Sequence, residues 1–184
     1  VTSTNYNITG LTAGTTYTYS IKAKDEAGNT SLASNNVNIT TNATSTSTIL
    51  SESYFESGWD NWTDGGNDCA RYKGSLSYEG NYSIRIRDNS GVNSSMTSQA
   101  YDISSYDTVE VEFYFYSYSM ETGEDFWLRY YDGSSWQTVE TYVSGTDFEN
   151  TSFYVATVTL NKADYNFAHN AQFRFQNDAS GNAD

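Results

Sequence analysis

The chain has 184 residues, of which 37% are hydrophobic and 16% aromatic, with 17 Tyr, 9 Phe and 4 Trp. Its formal net charge is −14, whereas a nucleic-acid binder needs a basic surface, so DNA and RNA are not expected partners. No apolar run reaches the 18 residues that indicate a membrane-spanning helix, so no membrane partner is expected either. Many aromatic and β-branched residues between Asn-, Ser-, Thr- and Gly-rich turns predict an all-β fold.

Residues 1–41 read as short alternating strands. Within them, residues 11–31, LTAGTTYTYSIKAKDEAGNTS, resemble the second half of a fibronectin type III domain. The resemblance implies a partial β-sandwich in which Tyr17 is the tyrosine-corner residue that closes the turn between two strands. About 40 residues cannot bury enough surface to fold alone. We therefore expect this segment to lean on its neighbour or to be part of a divided domain.

Residues 42–48 form a hydroxyl-rich linker of low complexity. Residues 49–184 then show nine strand patterns separated by polar turns, which predicts a second and larger β-sandwich, a jelly roll. The candidate strands are Ile49–Phe55, Ala70–Gly74, Tyr82–Asp88, Ser94–Ile103, Val109–Ser119, Phe126–Asp132, Trp136–Val143, Phe153–Leu160 and Gln172–Asn177.

The strand pattern Val109–Ser119 predicts a two-sided surface. Successive side chains of a strand point to opposite faces, so Phe113 and Phe115 point to the core and the tyrosines point outward. The same alternation on the other strands, together with a Trp-rich loop, gives a set of candidate carbohydrate-binding residues. The set comprises Tyr114, Tyr116, Tyr118, Trp127, Arg129, Tyr131, Arg85, Arg87, Arg174, Trp59 and Trp62.

We expect these side chains to converge on one face that binds a polysaccharide. Aromatic rings stack on the C–H faces of sugars, and the planar guanidinium group binds carboxylate or sulfate through two hydrogen bonds. An anionic polysaccharide therefore fits such a face. Two alternatives remain: arginines opposite Glu110 and Glu112 would form a cross-strand polar ladder, and Trp59 and Trp62 would cap the core.

Oxygen-bearing side chains at alternate positions near the end of the chain indicate a calcium site, because Ca²⁺ takes six to eight oxygen ligands. The predicted structural ligands are Asp178, Ser180, Asn182 and Asp184, with Glu56 from the beginning of the domain. An ordinary polar turn is the alternative.

Two stretches carry a second resemblance. Residues 55–62, FESGWDNW, and residues 173–184, FRFQNDASGNAD, look like the MAM-like jelly-roll modules of secreted Bacteroidetes proteins. The resemblance implies a β-sandwich, often with calcium, that serves adhesion or carbohydrate binding. It also implies a place behind fibronectin type III repeats in a secreted hydrolase.

Catalysis is not expected. His169 is the only histidine, and no nucleophile, metalloprotease or phosphate-loop motif occurs. A glycosidase would need two paired carboxylates, and spacing pairs none of Glu110, Glu112, Glu121, Glu124 and Asp125.

The sequence therefore predicts a non-catalytic carbohydrate-binding module of a secreted or cell-surface protein, tethered to a polysaccharide-degrading catalytic domain. The alternative is a structural or adhesive spacer module in a secreted protease or surface protein.

Overall fold

The computed structural model of this protein describes residues 5–44 and 46–180. They fall into two compact units, one ending at Ile49 and the other beginning at Leu50. Both units are built from β-strands, and the described residues contain no α-helix. The predicted all-β fold class is confirmed. Accordingly, the described ranges contain no helix that is long and apolar enough to cross a membrane.

The first unit contains two antiparallel strands, β1 (Thr16–Tyr19) and β2 (Val37–Thr40). The hydroxyl oxygen of Tyr17 accepts a hydrogen bond of 2.8 Å from the backbone N–H of Thr12. This bond reaches five residues upstream, as in a tyrosine corner; no strand precedes β1 among the described residues, and the assignment to a fibronectin type III domain stays a prediction.

The first unit has no core of its own. None of its described residues is buried, and the side chains of Leu32 and Ile21 are 94% and 77% exposed. Burial of apolar surface is the main favourable term in folding, and this unit obtains almost none of it.

The second unit contains a short 3₁₀ turn, Gly91–Ser94, and nine further strands. These are β3 (Trp62–Asp64), β4 (Cys69–Lys73), β5 (Tyr82–Ile86), β6 (Ser95–Ser98), β7 (Thr108–Tyr116), β8 (Asp125–Tyr131), β9 (Trp136–Val143), β10 (Phe153–Asn161) and β11 (Gln172–Asn177). A five-stranded sheet has the order β3-β6-β11-β8-β9, while β7 pairs with β10 and β4 pairs with β5. All these pairings are antiparallel.

The core lies between the five-stranded sheet and the β7–β10 pair. The ring of Phe113 on β7 lies 4.6 Å from that of Phe175 on β11 and 5.7 Å from that of Tyr142 on β9. The ring of Phe115 lies 4.9 Å from that of Phe126 on β8. Edge-to-face contacts at such distances are the favoured packing of aromatic rings. The two sheets therefore form a sandwich whose outer surfaces face in opposite directions.

The predicted strand Ile49–Phe55 does not form. A carboxylate oxygen of Asp60 accepts hydrogen bonds from the backbone N–H groups of Tyr54 and Phe55. Phe55 also has a φ of 60°, which a strand does not allow. These donors are therefore satisfied by a side chain instead of a neighbouring strand.

Candidate functional site

The outer surface of the five-stranded sheet carries a compact group of aromatic and arginine side chains. We call it the Trp–Arg face and define it by Trp127, Arg129 and Tyr131 of β8, Trp136 of β9 and Arg174 of β11. The residues that alternate with them on β8 and β11 lie in the core, so their own side chains point outward. All five are partly buried, which fixes their positions while leaving part of each side chain in contact with solvent.

The strand register arranges this surface in three rows across the sheet. The middle row crosses all five strands in the order Thr63, Thr97, Arg174, Arg129 and Thr138. The two flanking rows are Gln176, Trp127 and Thr141 on one side and Gln172, Tyr131 and Trp136 on the other. Rows two residues apart along a strand are separated by about 7 Å. Aromatic side chains thus stand on both sides of the arginine row.

Arg174 reaches over β8 to a tryptophan. Its guanidinium carbon lies 3.9 Å from the ring centroid of Trp136, and its Nε donates a 2.9 Å hydrogen bond to Oγ1 of Thr97. The rings of Tyr131 and Trp136 lie 5.4 Å apart. Cation–π stacking and the hydrogen bond hold the planar groups of this cluster in place.

Arg129 lies directly opposite Arg174. Its Nη1 donates a 3.1 Å hydrogen bond to Oε1 of Gln176, and its guanidinium carbon lies 5.9 Å from the ring of Trp127. Its Nε is buried, with no hydrogen-bond acceptor among the described residues. Burial, and secondarily the positive charge of Arg129, lower the pKa of Arg174 from the usual arginine value.

The tyrosines predicted on Val109–Ser119 lie elsewhere, on the outer surface of the β7–β10 pair. Tyr78 stacks on Tyr114 with ring centroids 4.0 Å apart, and Phe153 of β10 lies 5.0 Å from Tyr116. Tyr118 follows the end of β7 and is 60% exposed. The expectation of a single convergent face is wrong, because β7 belongs to one sheet of the sandwich and β8 and β11 belong to the other.

Arg85 and Arg87 do not join the Trp–Arg face either, since Arg85 lies on β5 in the separate β4–β5 pair and Arg87 directly follows that strand. The guanidinium carbon of Arg85 lies 5.9 Å from the ring of Tyr72. Nε of Arg87 lies 3.8 Å from Oδ1 of Asp68, which is the one salt bridge among the residues that the structure describes.

The alternative of a ladder between arginines and the carboxylates of β7 is not found among the described strands. Glu110 lies opposite Thr159 of β10, and Glu112 lies opposite Thr157. No arginine lies on a strand that pairs with β7, so these carboxylates and guanidinium groups cannot be cross-strand partners.

The predicted pair of loop tryptophans is divided between two environments. Trp62 lies on β3 and packs on the core, with its ring 5.7 Å from that of Phe175 and its indole N–H donating to Oγ of Ser53 at 3.0 Å. It is therefore a core residue rather than a sugar-binding platform. Trp59 is partly buried, and its carbonyl oxygen accepts the backbone N–H of Trp62 at 2.8 Å.

Glu56, one of the predicted metal ligands, accepts hydrogen bonds from the backbone of the β4–β5 hairpin. Its Oε1 accepts hydrogen bonds from the backbone N–H groups of Asn81 at 2.7 Å and Tyr82 at 2.8 Å. These donors hold the pKa of Glu56 below its usual value, so this carboxylate anchors the beginning of β5.

Of the other predicted ligands, Ser180 contacts Glu124 and Asp178 contacts Asp125. The hydroxyl and the backbone N–H of Ser180 donate to Oε1 of Glu124, while the backbone N–H of Asp178 donates to the carbonyl of Asp125 at 3.0 Å. Over residues 5–44 and 46–180, no three His, Cys, Asp or Glu side chains are placed to share a metal ion. Asn182 and Asp184 lie outside the described residues. Calcium binding stays a prediction.

A depression of about 590 Å³ lies at one end of the sandwich, and its lining includes residues 132–134 and 166–170. Its carboxylate, Asp132, accepts backbone hydrogen bonds of 2.8 Å from Ser134 and Ser135. These bonds hold the pKa of Asp132 well below the usual range. The group therefore stays ionised and fixes a turn, rather than serving as a proton donor.

Sequence reasoning missed Trp136, the residue on which Arg174 stacks. The signal was present, because Trp136 begins a correctly predicted strand, and alternation on that strand places it outward together with Thr138. Only the pairing of β8 with β9 shows that it joins Tyr131.

Comparison with known proteins finds partial similarity to polysaccharide-degrading enzymes. The chain is 63% identical over 43 residues to chitinase A1 of Niallia circulans, covering 23% of this chain and 6% of that protein. It is 65% identical over 59 residues to exoglucanase A of Cellulomonas fimi, covering 32% and 7%. It is 37% identical over 83 residues to chitinase Chi52 of Paenibacillus xylanexedens, covering 43% and 16%.

The matched stretches thus span only a small part of these curated relatives. No protein family matches the chain, and no solved structure does either. The resemblance to MAM-like modules of Bacteroidetes proteins stays a prediction.

Proposed function

We propose that this chain is a non-catalytic polysaccharide-binding module of a secreted or cell-surface polysaccharide-degrading enzyme, and that the Trp–Arg face holds the polysaccharide. The observation that carries the proposal is the cluster in which Tyr131, Trp136 and Arg174 pack together on the outer surface of the sheet. Planar groups already fixed by packing bind a ligand without a large loss of side-chain entropy.

The dimensions of the face suit a polymer. The middle row crosses five strands, and strands about 4.8 Å apart give it a length of about 19 Å. Threonine hydroxyls at both ends of the row and the amide of Gln172 at its side supply hydrogen-bonding partners for sugar hydroxyls, whereas Gln176 is buried and accepts a hydrogen bond from Arg129. A polysaccharide lying along the row would meet aromatic rings and polar groups over several sugar units.

The relatives support the setting of the module rather than its ligand. The names of these proteins describe chitinases and exoglucanases, and this chain matches only fractions of them. A module that supplies binding beside a catalytic domain accounts for similarity confined to short stretches. Tethering raises the effective concentration of the catalytic domain on its polymer.

The test is affinity gel electrophoresis of the whole chain through a panel of neutral and charged plant, algal and fungal polysaccharides, followed by titration calorimetry on each polymer that retards it. We expect Trp136→Ala to weaken binding at least about tenfold, because it removes both the ring and the partner of Arg174.

The matched control is Tyr118→Ala, since Tyr118 is an exposed aromatic residue off the Trp–Arg face. It should bind like the parent chain. If the folded Trp136→Ala variant, verified by circular dichroism, binds as well as the parent chain, the binding site does not depend on the Trp–Arg face. Retardation by no polymer would refute the proposed function.

A second function, that of a structural or adhesive spacer, is favoured by the opposite surface. Tyr78, Tyr114, Phe153 and Val155 are between 39% and 58% exposed and form an apolar patch over the β7–β10 pair. Such patches mark protein contacts. Glycan binding that is absent in every gel, combined with self-association that Tyr114→Glu abolishes in sedimentation, would favour the spacer.

A further inference from the structure

Two guanidinium groups lie side by side in the middle of the Trp–Arg face. Arg129 and Arg174 are direct cross-strand neighbours, and Cβ atoms in such positions are about 5 Å apart. Neither arginine has a carboxylate within salt-bridge distance among the described residues. Their polar partners, Gln176 and Thr97, are neutral.

This arrangement is unfavourable for the isolated protein. Like charges directly opposite each other on a sheet are destabilising, and the chain has 23 acidic residues against 9 Lys and Arg. The chain thus has many carboxylates that could form an ion pair with an arginine. Glu140 on neighbouring β9 forms none with Arg129 or Arg174 and accepts a hydrogen bond from the backbone N–H of Thr141. A binding role gives a reason for keeping the two positive charges adjacent.

The donors that remain on the two groups point to the class of ligand. Each guanidinium group has five N–H donors, and one of each is used by its protein partner. Nε of Arg129 is buried and that of Arg174 is bound to Thr97, so the donors that remain for a ligand are on the terminal Nη groups. An anionic group placed between the two arginines would accept several of these donors and relieve the repulsion, whereas a neutral hydroxyl would leave the repulsion in place.

We propose that the polysaccharide held by the Trp–Arg face is anionic, and that Arg129 and Arg174 together bind its carboxylate or sulfate groups. This inference rests on the proposed function. The net charge of −14 does not oppose it at physiological salt, because charges more than about 8 Å away are largely screened. Stacking on Trp136 and Tyr131 would position the sugar ring that carries the charge.

The test compares three probes with the whole chain in affinity gels and calorimetry. Polygalacturonate supplies carboxylates, a sulfated galactan supplies sulfates, and cellohexaose with chitohexaose represents neutral glycans. The first two arms distinguish the source of the charge. We expect one of the charged polymers to bind, and its affinity to fall as NaCl rises from about 0.05 to 0.5 M, where screening is stronger.

Arg129→Gln and Arg174→Gln should each weaken this binding at least about tenfold. The control Arg85→Gln removes the same charge from an exposed site on β5, so it should bind as the parent does. A neutral glycan bound with an affinity that neither salt nor Arg129→Gln changes would overturn the inference and leave the proposed function standing. If the parent chain binds none of these probes, the inference is overturned. The proposed function is then decided by the larger polysaccharide panel described above.

Discussion

Replacing Arg129 by glutamine should change the stability of the protein little, although it removes a charged side chain from a hydrogen-bonded position. Two gains and two losses can be weighed from the structure. Relief of the repulsion with Arg174 contributes about 0.2–1 kcal/mol, and removal of the buried, unpaired Nε donor contributes about 1–3 kcal/mol. Against these stand the lost hydrogen bond to Gln176, about 1.5–3 kcal/mol because its donor is charged, and a weak contact with Trp127 at 5.9 Å.

Gains of about 1–4 kcal/mol and losses of about 2–3 kcal/mol nearly cancel, so the free energy of unfolding should change by no more than about 1 kcal/mol. For a domain of this size such a change corresponds to a shift in Tm of at most about 4 °C. Arg129→Glu should have a higher Tm than Arg129→Gln, because it converts the repulsive pair into a cross-strand ion pair with Arg174.

The assay is differential scanning calorimetry of the whole chain without ligand, with Arg85→Gln as the charge-matched control. A Tm for Arg129→Gln more than about 4 °C below that of the control would mean that the arginine pair is part of the stabilising framework. The two adjacent charges would then need no anionic ligand to explain them.

Three further outcomes follow from the core and the turns. Phe113→Ala should lower the unfolding free energy by about 3–5 kcal/mol in chemical denaturation, because its ring packs across the core on two strands of the five-stranded sheet; a loss below about 1 kcal/mol would contradict that packing. The hydrogen bonds that lower the pKa of Asp132 stabilise the fold above the unfolded carboxyl pKa of about 3.9, and this contribution is lost as the pH falls through the lower folded-state value. The Tm difference between the parent and Asp132→Asn should therefore be largest near neutral pH and shrink in acid, and a constant difference would speak against it. Burial raises the pKa of the Cys69 thiol to about 12, so a thiol reagent at about pH 8 should react only after denaturation, whereas rapid reaction with the native chain would show an accessible thiolate.

Local pattern predicted which side of each strand is buried, but not which strands share a sheet. Alternation placed Phe113 inward and Trp127 outward, and both placements are confirmed by the packing of the sandwich. The same rule gave Tyr114 and Trp127 equivalent outward positions. They lie on different surfaces because sheet membership depends on pairings between segments far apart in the chain, and a period of two residues carries no information about these pairings.

The sequence pattern also did not predict that a nearby side chain would take the backbone donors of a strand. Residues 49–55 have strand-like composition, yet the carboxylate of Asp60 takes the backbone donors of Tyr54 and Phe55. Side chains of Asp often satisfy nearby N–H groups in this way. The fold class therefore followed from periodicity and composition, whereas the site required the register of β8, β9 and β11.

The middle row of the Trp–Arg face draws on residues from Thr63 to Arg174, segments separated by more than half of the chain. A polymer seated along that row would bridge strands that must part when the chain is pulled from its ends. We therefore expect the loaded module to resist mechanical extension better than the free one, since ligand bound only to the folded form raises its stability. An enzyme anchored through such a module would hold more firmly while flow or shear drags it along a solid substrate.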